Sequence, residues 1–221
     1  MATSRAEPGN ASLAPIVLPK PRLEGGIPLA EAFRRRRTVR EFSDEPLPPQ
    51  LLGDLLWAAC GINRVDGPFG VSGRTAASAS NSQEVDVHVV LADGAYLYDP
   101  GAHRLLPVAA GDHRRIALGA RQGSGGSNAP ARLVYVADLD KLEHTEGFDE
   151  PGLHDAEVQK SYYYVDTGLI AGNVYLFAAS RGLAAWFHNC DRRALAAALG
   201  LSERRCPLFG QTVGYAAGPA P

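Results

Sequence analysis

The 221-residue sequence predicts an α+β fold with a mainly antiparallel central sheet flanked by helices. Strand-like and helix-like patterns both occur, but they do not follow the regular strand–helix–strand order typical of a parallel sheet. Asp93-Gly94 separates two strand-like segments and is a hairpin signal, which indicates antiparallel pairing. The longest helical pattern, roughly residues 156–181, has apolar residues on more than one face. We therefore expect a long central helix that is buried all round, either in the core of a monomer or at a dimer interface.

Two helices are expected early in the chain. Residues 28–36 predict a short helix with Pro28 near its first turn. Residues 49–60 predict a stronger one, because its leucines share a face and Gly61 is a good helix stop. Residues 61–84 are rich in Gly, Ser, Ala and Asn and predict a long loop that could contain one short helix.

The later elements follow from the same rules. Strands are expected at 85–91, 95–98, 131–138, 183–187 and 210–216. Helices are expected at 111–120 and at 191–199, the latter capped by Asn189 or Asp191. Residues 121–130 and 139–155 predict polar loops.

The chain divides into three parts by composition. Residues 1–27 predict an extended arm, whose apolar segment Ile16-Val17-Leu18 is expected to pack on the rest of the protein. Residues 28–217 predict one domain, and residues 218–221 a short tail.

Composition excludes several classes of protein. The formal net charge of -2 and the pI of about 6.3 argue against a general nucleic-acid coat. No apolar run reaches the ~18–20 residues of a membrane span, and the start has no signal-peptide core, so we expect a cytoplasmic protein. The three cysteines form no Cys-x-x-Cys pair and the six histidines are not at metal spacing, so no metal site is expected.

The segment FRRRRTVREF, residues 33–42, concentrates five arginines in ten positions. In an extended segment side chains alternate, which places Arg36, Thr38 and Arg40 on one face. Two guanidinium groups beside a hydroxyl suit a phosphate or a phosphorylated cofactor. The residues alone leave two alternatives open, a solvated charged face and nucleic-acid binding.

Other familiar sites are missing from the sequence. It contains no Gly-x-Ser-x-Gly elbow and no Walker loop. The segment GSGGSN at 123–128 is not the Gly-x-Gly-x-x-Gly pattern of a Rossmann site.

Five segments in order resemble the FMN-dependent nitroreductase superfamily. The segment at 36–42 resembles its Arg-(Arg/His)-(Ser/Thr)-x-(Arg/Lys)-x-Phe signature, and SASNSQ at 78–83 resembles its second flavin segment. Residues 164–176 resemble its central helix, 182–186 its strand beside the flavin, and 199–201 and 211–215 its closing segments. The opening IVLPKPRLEGGIPLAEAF also resembles the SagB-type dehydrogenase branch, some of whose members oxidise azolines in modified peptides.

The resemblance implies a nitroreductase-like fold and a homodimer with two FMN sites at its interface. Its implied cofactor residues fall into three groups. The phosphate and ribityl chain would be held by Arg36, Arg37, Thr38 and Arg40, the ring edge by Asn81 and Gln83, and the ring face by backbone around Phe187, His188 and Asn189.

The implied activity is ping-pong hydride transfer from NAD(P)H to a small acceptor, such as a nitro compound, quinone or ene. The catalytic side chain stays unknown, although His188 or one of Tyr162–Tyr164 could donate a proton. The alternatives are a SagB-like azoline dehydrogenase and a non-catalytic FMN-binding protein. The family's usual basic segment after the last strand is not found here, which leaves three alternatives: Arg34 to Arg37 hold the phosphate alone, Arg204 and Arg205 substitute, or FMN binds weakly.

Overall fold

The structure is a computed structural model that describes residues 13–119, 129–145 and 154–218. The start of the arm, nearly all of the predicted loop 121–130 and most of the tail lie outside the described residues.

A seven-stranded sheet occupies the centre of the described chain, and all its pairings are antiparallel. The strands are β1 (Ile16–Val17), β4 (Val85–Val90), β5 (Gly94–Asp99), β6 (Arg104–Ala110), β7 (Ala131–Asp138), β8 (Ala184–His188) and β9 (Arg205–Gly214). A separate small hairpin is formed by β2 (Ile62–Arg64) and β3 (Gly73–Arg74). The order across the sheet is β1-β6-β5-β4-β7-β9-β8, so β8 is an edge strand.

Six α-helices belong to the described residues. They are α1 (Leu29–Arg35), α2 (Pro49–Cys60), α3 (Arg114–Leu118), α4 (Leu139–Glu143), α5 (Ala156–Ser180) and α6 (Arg192–Ala198). The predicted α+β class, the antiparallel sheet and the long central helix are therefore confirmed, but α5 is not buried all round, since Val165 and Leu169 are 60% and 44% exposed.

Helices cover both faces of the sheet. On one face α2 and α5 pack against the sheet around Leu55, Leu56 and Val174, which are fully buried. On the other face α3 and α6 pack through Ala117 and Leu195. Because both faces are covered, β4 and β7 are buried at every position instead of alternating.

Several element boundaries agree with the sequence. The helix predicted at 49–60 is observed at Pro49–Cys60, and the one predicted at 156–181 at Ala156–Ser180. Asp155 caps α5 by accepting hydrogen bonds from the Glu157 and Val158 amides, and Asp191, not Asn189, caps α6. Ile16-Val17 packs as expected, since it forms β1 beside β6.

Other predictions were wrong. The loop 61–84 contains the hairpin of β2 and β3, and the polar stretch 139–155 begins with α4, whose cap is Asp138. Strand β6 was not predicted, because Pro107 within it cannot donate to a ladder. The last strand begins at Arg205, five residues earlier than expected from the residue-210 start.

Candidate functional site

The arginine-rich segment lies along the open edge of β8. An edge strand leaves one row of backbone groups without partners. The Val39 amide donates to the Ala185 carbonyl at 3.0 Å, and Phe42 forms a bridge with Ala216 just beyond β9. Residues 36–42 therefore cover the first part of that edge.

Tyr175 on α5 holds this segment and β8 together. Its hydroxyl oxygen lies 3.1 Å from Thr38 Oγ1 and accepts a hydrogen bond from the Phe187 amide at 2.9 Å. The Arg36 guanidinium lies 5.5 Å from the centroid of the same ring. Sequence reasoning assigned Tyr175 only to the packing face of a helix, because its partners are distant in the chain.

The five arginines divide into two groups by their charge partners. Arg34 and Arg35 bind Glu31 at 2.6 and 2.5 Å, and these bonds lower the pKa of Glu31 to about 2. Arg36, Arg37 and Arg40 have no carboxylate partner among the described residues. These three guanidinium groups therefore carry uncompensated positive charge on both sides of Thr38 in the chain, which suits a phosphate-sized anion.

Arg40 has an aromatic neighbour as well. Its guanidinium lies 5.6 Å from the centroid of the Trp186 ring, within the range of a cation–π contact. Trp186 is 5% exposed, so this contact ties Arg40 to the buried side of β8.

The rest of the β8 edge faces outward. Hydrogen bonds alternate along an antiparallel strand, and the odd-numbered groups Ala185 C=O and Phe187 N–H point away from β9. The Phe187 C=O continues this outward row. It offers an acceptor to a flat ligand along this edge of β8.

The His188 side chain points inward. It is 5% exposed, its Nδ1 lies 2.9 Å from the Asn189 carbonyl oxygen, and its Nε2 lies 2.8 Å from Thr212 Oγ1. The carbonyl only accepts, so Nδ1 carries the proton. Burial lowers the pKa of His188 to about 4, which keeps the ring neutral at physiological pH. His188 is therefore a poor proton donor, in contrast to the role suggested from sequence.

The segment 78–83 has a strained backbone. Ser80, Asn81 and Gln83 have φ angles of 48°, 55° and 52°, a left-handed conformation uncommon for residues other than glycine. Such strain costs about 1–3 kcal/mol per residue and is concentrated at binding sites.

The Asn81 and Gln83 amides fasten a neighbouring loop. Asn81 Nδ2 donates to the Pro68 and Val71 carbonyls at 3.3 and 3.0 Å. Gln83 Nε2 donates to the Ser72 carbonyl at 2.6 Å and to Asn81 Oδ1 at 3.0 Å. Gln83 Oε1 has no partner in the part of the chain that is described, so it can still accept a hydrogen bond.

Two buried carboxyl groups attach this segment to α5. Asp166 accepts from the Ala79 amide at 2.9 Å, and Glu84 accepts from the Ser82 hydroxyl at 2.6 Å. Burial raises the pKa of both groups, and the Asp166 charge helps to raise the pKa of Glu84 to about 7. The pair therefore retains a proton well above the usual pH range of carboxylic acids.

The two halves of the predicted site lie on opposite sides of α5. Asp166, which holds segment 78–83, is nine positions before Tyr175, which holds segment 36–40. Nine positions are about two and a half helical turns, so these side chains project in opposite directions. Within one chain, the two halves of the predicted site are therefore separated by α5.

The remaining expectations concern Arg204 and Arg205, membrane-spanning helices and metal sites. Arg204 pairs with Asp140 and Glu143, and Arg205 pairs with Asp138, at the end of β9 remote from Arg36. Within one chain, they therefore lie apart from Arg36, Thr38 and Arg40. Within the described ranges no helix has the length and apolarity to cross a membrane, and no group of three metal-ligating side chains occurs.

Comparison with known proteins identifies the class. Residues 33–215 match the model of the nitroreductase family, and this range includes the candidate site residues from Arg36 to Asn189. The chain belongs to the nitroreductase family, and its general class is that of an oxidoreductase.

Two individual relatives have the same family assignment. The chain is 30% identical over 166 residues, 71% of this chain and 76% of the relative, to the Methanocaldococcus jannaschii protein MJ1384, whose name provisionally assigns it to the nitroreductases. A Ralstonia eutropha JMP134 crystal structure with the same provisional assignment is similar over 99% of this chain and 97% of its own, with 33% identity and a TM-score of 0.82.

Two structures of lower identity share the fold. One is the NADPH:FMN oxidoreductase of Vibrio harveyi in complex with NAD+, with 21% identity, a TM-score of 0.59, and coverage of 86% of this chain and 69% of its own. The other is the Escherichia coli microcin synthetase McbBCD complex, with 18% identity, a TM-score of 0.66, and coverage of 98% and 85%.

Proposed function

We propose that this protein is an FMN-dependent oxidoreductase that uses NAD(P)H to reduce small acceptors, such as nitro compounds, quinones or enes. The observation that carries the proposal is the group of uncompensated guanidiniums beside the open edge of β8. It offers charge for a phosphate, next to a row of backbone groups for a flat ring. The Vibrio harveyi protein with the same fold is by name an NADPH:FMN oxidoreductase.

Each part of the site would hold a different part of FMN. Arg36, Arg37, Arg40 and the Thr38 hydroxyl would bind the phosphate and the ribityl chain. The Asn189 amide and Phe187 carbonyl would contact the ring along the edge of β8. Gln83 Oε1 can accept from an N–H of the pyrimidine edge, and Asn81 would position Gln83 through their mutual hydrogen bond.

The bound flavin would supply the hydride chemistry, and the protein would position the reactants and exclude water. We assign no side chain as proton donor. The neutral, inward-facing His188 instead fixes the turn at the end of β8 through its bond to the Asn189 carbonyl.

The complete site would be assembled in a homodimer. An exposed strip on α5 contains Val165 and Leu169, which are 60% and 44% exposed, and the exposed glycines Gly168 and Gly172. A Cβ atom added at either glycine would meet nothing within 4 Å, so this strip has room for a second helix. It lies between the Asp166 and Tyr175 sides of α5, so packing of two strips would bring segment 78–83 of one protomer toward segment 36–40 of the other.

The first experiment is the absorption spectrum of the purified protein from 300 to 550 nm, before and after FMN addition. We expect flavin bands, release of FMN on denaturation, and parallel lines in double-reciprocal plots with NAD(P)H and a quinone. A protein that stays colourless in excess FMN would overturn the proposal. Flavin binding without turnover would identify a non-catalytic FMN-binding protein instead.

A second candidate is oxidation of azolines in a peptide. It is favoured by the likeness of nearly the whole chain to a structure of the McbBCD complex, which was solved with a truncated pro-MccB17 bound, and by the SagB-like opening of the sequence. Incubation of the flavin-loaded protein with an azoline peptide, followed by mass spectrometry, decides between them. A mass loss of about 2 Da per ring would establish this activity, since dehydrogenation removes two hydrogens.

A further inference from the structure

A cleft of about 620 Å³ lies between the first turns of α5, the helix α6 and the beginning of β9. Its volume is within the range of small-molecule sites. None of the residues proposed to hold FMN lines it.

The cleft is positively charged. Its ionisable side chains, apart from tyrosine and cysteine, are Lys160, Arg192, Arg193, Arg205 and a single acid, Glu203. Lys160 pairs with Glu157 at 3.4 Å, and Arg205 pairs with Asp138 at 3.0 Å. Arg192 and Arg193 have no carboxylate partner in the described parts of the chain, so two positive charges remain uncompensated.

Arg192 is held in place before any ligand binds. Its Nε donates to the Leu208 carbonyl at 3.1 Å, and its Nη1 lies 3.2 Å from the Tyr164 hydroxyl. The guanidinium stacks 5.5 Å from the centroid of Phe209. A guanidinium carries five N–H donors, so Arg192 retains donors for an anion at little further cost in side-chain entropy.

An aromatic wall connects the cleft with β8. The Tyr164 and Phe209 ring centroids are 5.7 Å apart, and those of Phe209 and Phe187 are 4.8 Å apart. Phe187 belongs to the edge on which we place the flavin ring. The wall therefore continues from the proposed hydride-transfer site to the uncompensated arginines.

We infer that this cleft binds the oxyanion of a ring-bearing molecule that exchanges hydride at the flavin site. The inference rests on the proposed function and adds a substrate class to it. Two molecules offer this chemistry: the phosphate-bearing nicotinamide dinucleotide, and an acceptor whose aromatic ring carries a carboxylate.

Arg193→Ala tests the inference, because Arg193 is exposed and makes no hydrogen bond that supports α6. Arg104→Ala on β6 is the matched control, since it removes the same charge beside Asp99 at a remote part of the sheet. KM and kcat would be measured for NADH and NADPH, and for 4-nitrobenzoate and the neutral 4-nitrobenzamide.

We expect Arg193→Ala to raise KM for the charged ligand about tenfold, with kcat nearly unchanged. A higher KM for the dinucleotides would identify the hydride donor as the ligand of the cleft. A higher KM for 4-nitrobenzoate but not for 4-nitrobenzamide would identify the acceptor as that ligand. Equal KM values in Arg193→Ala and Arg104→Ala for all four compounds would refute the inference.

Calorimetric titration with NADP+ and with 4-nitrobenzoate distinguishes this inference from the proposed function, because it requires no turnover. Binding that is lost in Arg193→Ala, in a protein that takes up no FMN, would support the cleft as an anion site and refute the proposed function. A protein that binds FMN and turns over, with neither ligand affected by Arg193→Ala, would support the function and refute the cleft.

Discussion

The Tyr175 hydroxyl lies 3.1 Å from Thr38 Oγ1, although 137 positions separate the two residues. The same oxygen accepts from the Phe187 amide at 2.9 Å, so one side chain aligns the arginine segment with β8. A single atom on α5 thus sets the spacing between the proposed phosphate and ring positions.

Tyr175→Phe should separate alignment from packing. It keeps the ring but leaves the Phe187 amide without its partner, which should destabilise the protein by about 1–2 kcal/mol and weaken FMN binding several-fold. Tyr98→Phe on β5, which removes a hydroxyl bonded to His103, is the control for stability alone. Urea unfolding and FMN titration measure both effects, and equal FMN affinity in the two variants would contradict the alignment role.

The division of the arginines predicts which ones bind phosphate. Arg36→Ala and Arg40→Ala should each weaken FMN binding about tenfold or more, because each removes a charge-assisted contact. Arg34→Ala should have little effect, because Arg34 is exposed and already paired with Glu31. FMN fluorescence quenching measures the affinities, and a comparable loss in Arg34→Ala would show that only general charge matters.

The exposed strip of α5 predicts a dimer contact. Val165→Glu should shift the protein to monomers, since it places a charge on the strip, and should reduce FMN binding in parallel because each site needs both protomers. Val108→Glu on β6 is the matched control for an exposed valine. Sedimentation velocity measures the assembly state, and a Val165→Glu protein that remains dimeric would place the interface elsewhere.

The buried carboxyl pair predicts a pH dependence of stability. The pKa of Glu84 is raised from 4.5 to about 7, so the folded protein keeps a proton that the unfolded chain releases. The stabilisation of the folded state by this proton on Glu84 is fully present below pH 4.5 and is lost as the pH rises through 7. The side chain at this position cannot ionise in the Glu84→Gln variant. Between pH 5 and 8, the unfolding free energy of the wild type should therefore fall by about 2–3 kcal/mol more than that of the variant.

Exposed Glu203→Gln is the control for this prediction. Burial lowers the pKa of His88 and His188 to about 4, so these residues favour folding as the pH rises toward 6.5. Both histidines are present in the wild type and in each variant, so their effect cancels in the comparison. Identical pH profiles for Glu84→Gln and the wild type would show that the pair does not retain a proton.

The sequence predicted those elements whose signals are local. Helix α2 was predicted to the residue, since Pro49 favours its first turn and Gly61 follows its end. Strand β6 was missed because Pro107 and a largely exposed pattern are atypical of a strand inside a sheet. The pairing of β6 with β5 is irregular at this point, because Ala95 and Tyr96 face Ala109 and Pro107 and Val108 of β6 is skipped.

The candidate site shows the same limit. The alternation argument selected Arg36, Thr38 and Arg40, and these are brought to Tyr175 and Trp186 along one strand edge. The sequence did not indicate Tyr175, Asp166 or Glu84 as positioning residues, because their contacts join segments that are distant in the chain. The pairing of Arg34 and Arg35 with Glu31 was also missed, although their spacing of three and four positions on α1 could have indicated it.

We also expect the outward row of β8 to affect the solubility of the protein. An unpaired strand edge can recruit the edge of another molecule and start aggregation. Residues 36–42 protect only the part of β8 near Ala185, and the groups of Phe187 and Asn189 beyond it would be covered by the ligand. A flavin bound there would therefore also protect the unpaired edge of β8 from pairing with another molecule. We expect the flavin-free protein to precipitate before the flavin-bound protein on storage or heating.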